Sequence, residues 1–214
     1  MNFAETAFKI CEIIGTVAFA ISGAMVATDK GTDIFGVVFM AVITAFGGGM
    51  IRDVLLGRFP AAVFKSTPYV ILSIAVAICI FICAYIFKEK YRKNEPFIER
   101  ITNVFDAIGL GAFAVTGVRV ALDSGFGGAF LSITMGMITA IGGGLIRDLM
   151  LMEIPFVFKK RIYALAAIAG AAIYYVMYLY DVNVFVSIAV GIFATFAVRM
   201  LATVFKWQLP KISQ

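Results

Sequence analysis

The sequence predicts an all-α integral membrane protein: seven transmembrane helices, built as two inverted three-helix repeats plus a seventh helix. Three observations predict it. The chain of 214 residues is 62% hydrophobic and only 14% charged, where a soluble domain is nearer half apolar and a quarter charged. Seven apolar runs approach the roughly 20 residues that a membrane crossing requires, near 4–28, 33–57, 68–88, 103–122, 127–151, 162–180 and 183–205. The first half of the chain also recurs in the second.

The run at 4–28 is too long for a signal h-region and is followed by further spans, so it reads as a retained helix. The short connections "DKGTD", "DSGFGG" and "DVN" are tight turns with no room for a soluble domain. The whole chain, 1–214, is therefore one membrane domain: repeat one over about 4–88, repeat two over about 103–180, and the extra helix over about 183–205.

An offset of 94 aligns the first span of each repeat, placing Glu12 on Asp106, Gly15 on Gly109, Phe19 on Phe113, Ser22 on Thr116 and Gly23 on Gly117. After one extra residue the offset is 95. "ITAFGGGMIRDVLLGRFP" (43–60) then lies over "ITAIGGGLIRDLMLMEIP" (138–155). Three spans is an odd number, so the second copy enters the membrane from the opposite side. A pseudo-two-fold axis in the membrane plane follows, an architecture recurrent in transport proteins. The seventh span has no partner in the repeat.

The recurring motif supplies the candidate site. Three glycines weaken a helix by about 1 kcal/mol each, and backbone opened in lipid must face protein or water. Gly47, Gly48, Gly49 and their counterparts Gly142, Gly143, Gly144 are expected to break or closely cross their helices at one depth, forming the waist of a pathway. Opened half-helices would present carbonyl and amide poles there, suited to a cation or an anion respectively. Arg52 and Asp53 are neighbours on a helix, about 100° apart, and need not pair; the same holds for Arg147 and Asp148. Charges at this depth face a bundle interior or water-filled cavity, with Arg52/Asp53 toward the side of the N-terminus (side A) and Arg147/Asp148 toward side B. Glu12 and Asp106 place one carboxylate near each face, where acidic groups enrich cations. Ser22 and Thr116 add hydroxyls at helical spacing. Arg119 and Arg199 also lie within or at the ends of spans.

Composition excludes other classes. The chain has no histidine, so the commonest general base and metal ligand are absent, and no cofactor is implied. Cys11, Cys79 and Cys83 lie in apolar runs and read as core filler rather than metal ligands. No nucleophile–base or metal constellation points to an enzyme. Basic residues gather in side-B loops (Lys30, Lys88, Lys90, Arg92, Lys93, Arg100, Lys159, Lys160, Arg161, Lys206, Lys211), while side A receives Lys9, Arg58 and Lys65. Positive charge accumulates in cytoplasmic loops. The N-terminus is then outside and the C-terminus inside, with basic groups facing lipid phosphate rather than nucleic acid.

The doubled Gly-Gly-Gly-x-x-Arg-Asp pattern in seven spans resembles the prokaryotic branch of the trimeric intracellular cation (TRIC) channel family, a sequence type also grouped under a glycine transporter label. The resemblance covers nearly the whole chain. It implies a prokaryotic inner-membrane homotrimer with an hourglass pore inside each protomer. The second and fifth helices kink at the glycines, and monovalent cations, notably potassium, permeate. The polar groups Arg52, Asp53, Arg147 and Asp148 become pore candidates. The lysine-glutamate-valine signature of animal members is absent from the fourth helix, so their lipid-linked gating is not implied. Beside the channel stand two other readings: a secondary transporter of a small zwitterion such as glycine, and a membrane scaffold without flux.

Overall fold

A computed structural model describes residues 3–87, 95–159 and 162–207. The described residues form seven principal helices: α1 (Phe3–Asp29), α2 (Ile34–Leu55), α3 (Thr67–Ile86), α4 (Glu95–Asp123), α5 (Ala129–Met150), α6 (Tyr163–Leu179) and α7 (Val184–Val204). A 3-10 turn (Ala62–Lys65) follows α2, and a one-turn helix (Phe156–Lys159) follows α5 at the matching place. Six helices are long and apolar enough to cross a membrane; α6, at 17 residues, is shorter. The main boundary correction is α4, which begins at Glu95 rather than near 103. The added turns, "EPFIERIT", are polar, so hydropathy does not register them.

Local chemistry sets the ends. Asp33 caps α2 by accepting from the Gly36 amide at 2.7 Å, and Asn183 caps α7 through the Phe185 amide at 3.0 Å, each supplying an acceptor that a helix start lacks. α1 and α4 both run out into a left-handed glycine, Gly31 at φ 72° and Gly125 at φ 85°, a conformation open to a residue without Cβ.

α1 and α4 pack against each other, as do α2 and α5, so each repeat's first two helices meet their counterparts across the pseudo-two-fold axis. On that axis Phe19 and Phe113 meet edge-to-face, with centroids 5.2 Å apart. Each ring covers the glycine of the opposite helix: a Cβ on Gly109 would lie 2.2 Å from Phe19, and one on Gly15 would lie 2.8 Å from Phe113. The buried core is rich in alanine and glycine, and small residues let membrane helices approach closely. α3 lies on the outside of repeat one with little of its surface covered. α7 packs on α4 and α6, and so on repeat two. Cys11 is buried and its thiol points at the Ala112 carbonyl, 3.5 Å away. Cys79 and Cys83 are exposed on α3. The core-filler reading fails for that pair, because apolar surroundings in sequence mark lipid-facing surface as readily as protein interior.

Candidate functional site

The glycine motifs lie where α2 and α5 cross. The helical pattern runs through Gly47–Gly49 and Gly142–Gly144 without interruption. The expected breaks are not found, and no backbone poles are freed at that depth. The glycines instead permit contact: a Cβ on Gly48 would lie 2.0 Å from the Thr139 carbonyl oxygen, and one on Gly143 would lie 1.9 Å from that of Thr44. In place of Cβ each glycine directs a hydrogen at the facing carbonyl, a weak attractive contact. Both helices thus keep their own hydrogen bonds, which lipid demands, and still touch. Thr44 and Thr139 each turn the hydroxyl back to their own helix, donating to the Met40 and Met135 carbonyls at 2.6 Å. A Cβ on Gly23 or Gly117 would lie 2.6 Å from these respective hydroxyls.

One turn beyond the crossing, each arginine pairs with its sequence neighbour. Arg52 donates from Nε and Nη2 to Asp53 Oδ1 at 2.9 and 2.7 Å, and Arg147 Nε donates to Asp148 Oδ1 at 2.8 Å. Neighbours on a helix point about 100° apart and have no need to pair; they do so here because the long arginine stem curls around the helix to reach the carboxylate. The second carboxylate oxygen anchors the loop that follows. Asp53 Oδ2 accepts from the Ala62 amide and Asp148 Oδ2 from the Phe156 amide, both at 2.8 Å.

The other candidates join these pairs in exchanged fashion. On side A, Glu12 of α1 and Thr116 of α4 line a cavity of about 70 Å³ with Gly49, Arg52, Asp53, Tyr69 and Thr139. On that measure a water needs about 10–15 Å³, so several fit. On side B, Asp106 of α4 and Ser22 of α1 are fully buried against Arg147. Arg147 Nη1 donates to Ser22 Oγ at 2.8 Å and reaches Asp106 Oδ1 at 3.3 Å; Ser22 Oγ also lies 3.3 Å from that oxygen. The side-B half-site is filled by its arginine, whereas the side-A half-site is open. Beside the side-B half-site lies a vestibule of about 390 Å³ that touches Asp148 along with Asp29, Lys30, Glu99 and Glu153. Arg119 pairs with Asp123 at 2.8 Å near the end of α4 and borders the side-A mouth. Among the described residues no group of three or more His, Cys, Asp or Glu side chains is placed to hold a metal.

The structure adds Tyr69 and Tyr163. Tyr69 lines the side-A cavity. Tyr163 is buried in the side-B cluster, its ring 5.2 Å below the Arg199 guanidinium. The two tyrosines are 94 residues apart, one residue out of register with the offset of 95 that holds over the glycine motifs, so the repeat alignment does not pair them directly.

The sequence profile of the family described as "Glycine transporter" matches residues 9–85 and again 103–179, one copy on each repeat. The UPF0126 inner membrane protein YadS of Escherichia coli is 32% identical over 200 residues, covering 93% of each chain. A TRIC trimeric intracellular cation channel orthologue from Rhodobacter sphaeroides superposes with a TM-score of 0.84 at 34% identity, covering 94% of this chain and 100% of that one. A prokaryotic TRIC channel solved in 0.5 M KCl gives a TM-score of 0.84 at 36% identity, over 96% and 100% of the two chains. The doubled profile, the near-complete coverage and the shared fold lead to one conclusion: this chain is a multi-pass membrane protein that belongs to the glycine transporter family, the family of the TRIC channels.

Proposed function

We propose that the chain is a cation channel, passing monovalent cations such as potassium along a route inside each protomer of a homotrimer. One observation carries this reading: the side-A cavity, which runs from Arg52 and Asp53 to Thr139 at the helix crossing with the Glu12 carboxylate in its wall. A polar, water-sized path to the crossing, with an acidic side chain beside it, suits a hydrated cation. The solved relatives are cation channels, not enzymes. Side B is taken as cytoplasmic, following the basic loops. The zwitterion reading relied on opposed half-helix poles, and helices continuous through the glycines give it no such poles.

The test is current through purified protein in planar bilayers, with asymmetric potassium chloride and no amino acid present. Discrete openings with a reversal potential on the cation side are expected. Silence, followed by saturable counterflow of labelled glycine in liposomes, replaces the channel with a transporter.

A further inference from the structure

Five buried side-chain atoms have no hydrogen-bond partner among the described residues: Asp106 Oδ2, Arg147 Nη2, Tyr163 Oη, and Arg199 Nε and Nη2. All belong to the side-B half of the molecule. Arg199 comes from α7, outside the repeat. It is 2% exposed, and among the described residues no carboxylate lies within ion-pair distance of it. Among the described residues its guanidinium makes one hydrogen bond, from Nη1 to Thr203 Oγ1 at 2.9 Å.

The packing of α7 aims Arg199 inward. Ser187, Gly191, Thr195 and Arg199 recur every four residues as one buried stripe, and residues at that spacing share a helix face. The stripe docks at Gly170 of α6, where a Cβ would lie 1.8 Å from Thr195 Oγ1. One turn on, the Arg199 guanidinium lies over the Tyr163 ring. The Tyr163 hydroxyl sits beside Gly144 and faces Asp106 and Arg147. Tyr163 therefore stands between Arg199 and Asp106.

An arginine in a dry interior stays charged and requires an opposite charge nearby. Arg147 carries one charge for two carboxylates, Asp148 at 2.8 Å and Asp106 at 3.3 Å, and Asp106 Oδ2 has no hydrogen-bond partner among the described residues, so Asp106 is the anion of the cluster that is left incompletely balanced. We propose that Arg199 is the counter-charge of Asp106, a positioning residue that makes the side-B half-site electrically neutral. Asp106 and Asp148 then balance Arg147 and Arg199, whereas on side A Glu12 and Asp53 face Arg52 alone inside the half-site. Lys9 is the next cation near Glu12 and is exposed at the rim, where salt screens it. The two halves of the route consequently attract cations unequally. This last consequence rests on the channel reading; the charge pairing does not.

The experiment compares inward and outward cation currents of the full-length protein in oriented bilayers at equal potassium chloride on both sides. Charges at the mouths are the same in every variant, so the change from wild type is what is read. At about 0.1 M salt, Arg199→Gln is expected to raise entry from side B about twofold. Asp106→Asn is expected to lower it similarly, and the double variant to return to the wild-type ratio. Arg199→Lys keeps the charge and the wild-type ratio. Every shift is expected to shrink at about 1 M, where the screening length is about 3 Å. A ratio unchanged by Arg199→Gln, or Arg199→Lys behaving like Arg199→Gln, overturns the proposal and leaves Arg199 a packing residue. If Arg199→Gln does not fold, adding Asp106→Asn is expected to restore folding; failure to do so also overturns it. A wild type that carries no cation current overturns the channel reading instead. The pairing is then judged by thermal unfolding, where additive effects of the two substitutions overturn it.

Discussion

The two repeats are near copies in sequence, yet one half-site is open and the other is filled. In repeat one, Arg52 keeps to Asp53 and leaves space beside Glu12. In repeat two, Arg147 adds bonds to Ser22 and Asp106 and occupies that space. The crossing itself is symmetric, since Gly48 on Thr139 and Gly143 on Thr44 match to a tenth of an ångström. The difference therefore arises around the crossing. The cavity wall that is Thr16 on side A is Leu110 on side B. The side-B loops are joined across repeats by the Lys30–Glu153 ion pair. At the equivalent positions of side A stand Ser124 and Arg58, joined by a neutral-acceptor hydrogen bond of 3.3 Å. α7 packs chiefly on repeat two and touches repeat one at its start, where Phe185 meets Phe3. Inverted symmetry thus supplies two equivalent sites, and a few unmatched contacts decide which one is closed.

The largest effects are expected where the halves agree. Gly48→Ala and Gly143→Ala each force a methyl onto a carbonyl, an overpacking that costs about 3 kcal/mol or more. Thermal unfolding in detergent is expected to fall by the same amount for both. Leucine at both positions should prevent folding. A Gly48→Ala protein as stable as wild type breaks the symmetric crossing.

Next come the arginines, where the halves differ. Arg147→Met strands Asp148 in a dry interior and takes a hydrogen-bonding partner from Asp106, and breaking a buried pair costs about 3–5 kcal/mol. Arg52→Met leaves Asp53 beside a wet cavity and is expected to cost about half as much. Equal losses of unfolding temperature contradict an open side A and a closed side B.

A smaller effect follows from the loop after each motif. Gly57 adopts φ 66°, and its counterpart Met152 adopts φ 55°. A side chain in that region costs about 1–2 kcal/mol. Met152 is 96% exposed, so Met152→Gly removes strain without losing packing. A gain of about 1 kcal/mol is expected in the denaturation midpoint; a loss indicates that the methionine makes contacts elsewhere, for example in an assembled oligomer.

The smallest effect concerns the Lys30–Glu153 tether, whose side chains are 40% and 34% exposed. The Glu153 hydrogen bond raises the Lys30 ammonium above its ordinary value. A raised folded-state value means that the stabilisation is fully present below the unfolded lysine's pKa of about 10.4. It is lost as pH rises through the folded value. Exposed pairs contribute about 0–1 kcal/mol. Glu153→Gln is expected to lower stability slightly at pH near 9, with no difference from wild type once Lys30 is neutral; a difference that persists there assigns the effect to something other than the pair.

The candidate site was partly legible because its parts are costly. Glycine triplets and adjacent charges are unfavourable inside an apolar span, so their recurrence marks them as functional or architectural. The alignment placed Glu12 against Asp106 and the two Arg-Asp pairs on opposite sides. It did not show that Arg52 and Arg147 curl onto Asp53 and Asp148, since a helix fixes the direction of Cβ but leaves a long side chain free to choose a partner. Nor did it show the helices continuing through the glycines. A glycine run is compatible with either a break or a close crossing, and only the facing carbonyl tells the two apart. Tyr69 and Tyr163 were missed because single tyrosines in spans of otherwise unmatched residues carry little pattern.

By itself, the sequence determined the seven spans, the inverted repeat and the pairing of equivalent polar positions, because these depend on hydropathy and order along the chain. The tertiary structure alone decided which half is open, which helix covers repeat two and which groups Arg199 faces. Those outcomes depend on small differences between two nearly equivalent packings, where one docked helix and a few unmatched side chains tip a balance that local sequence leaves even.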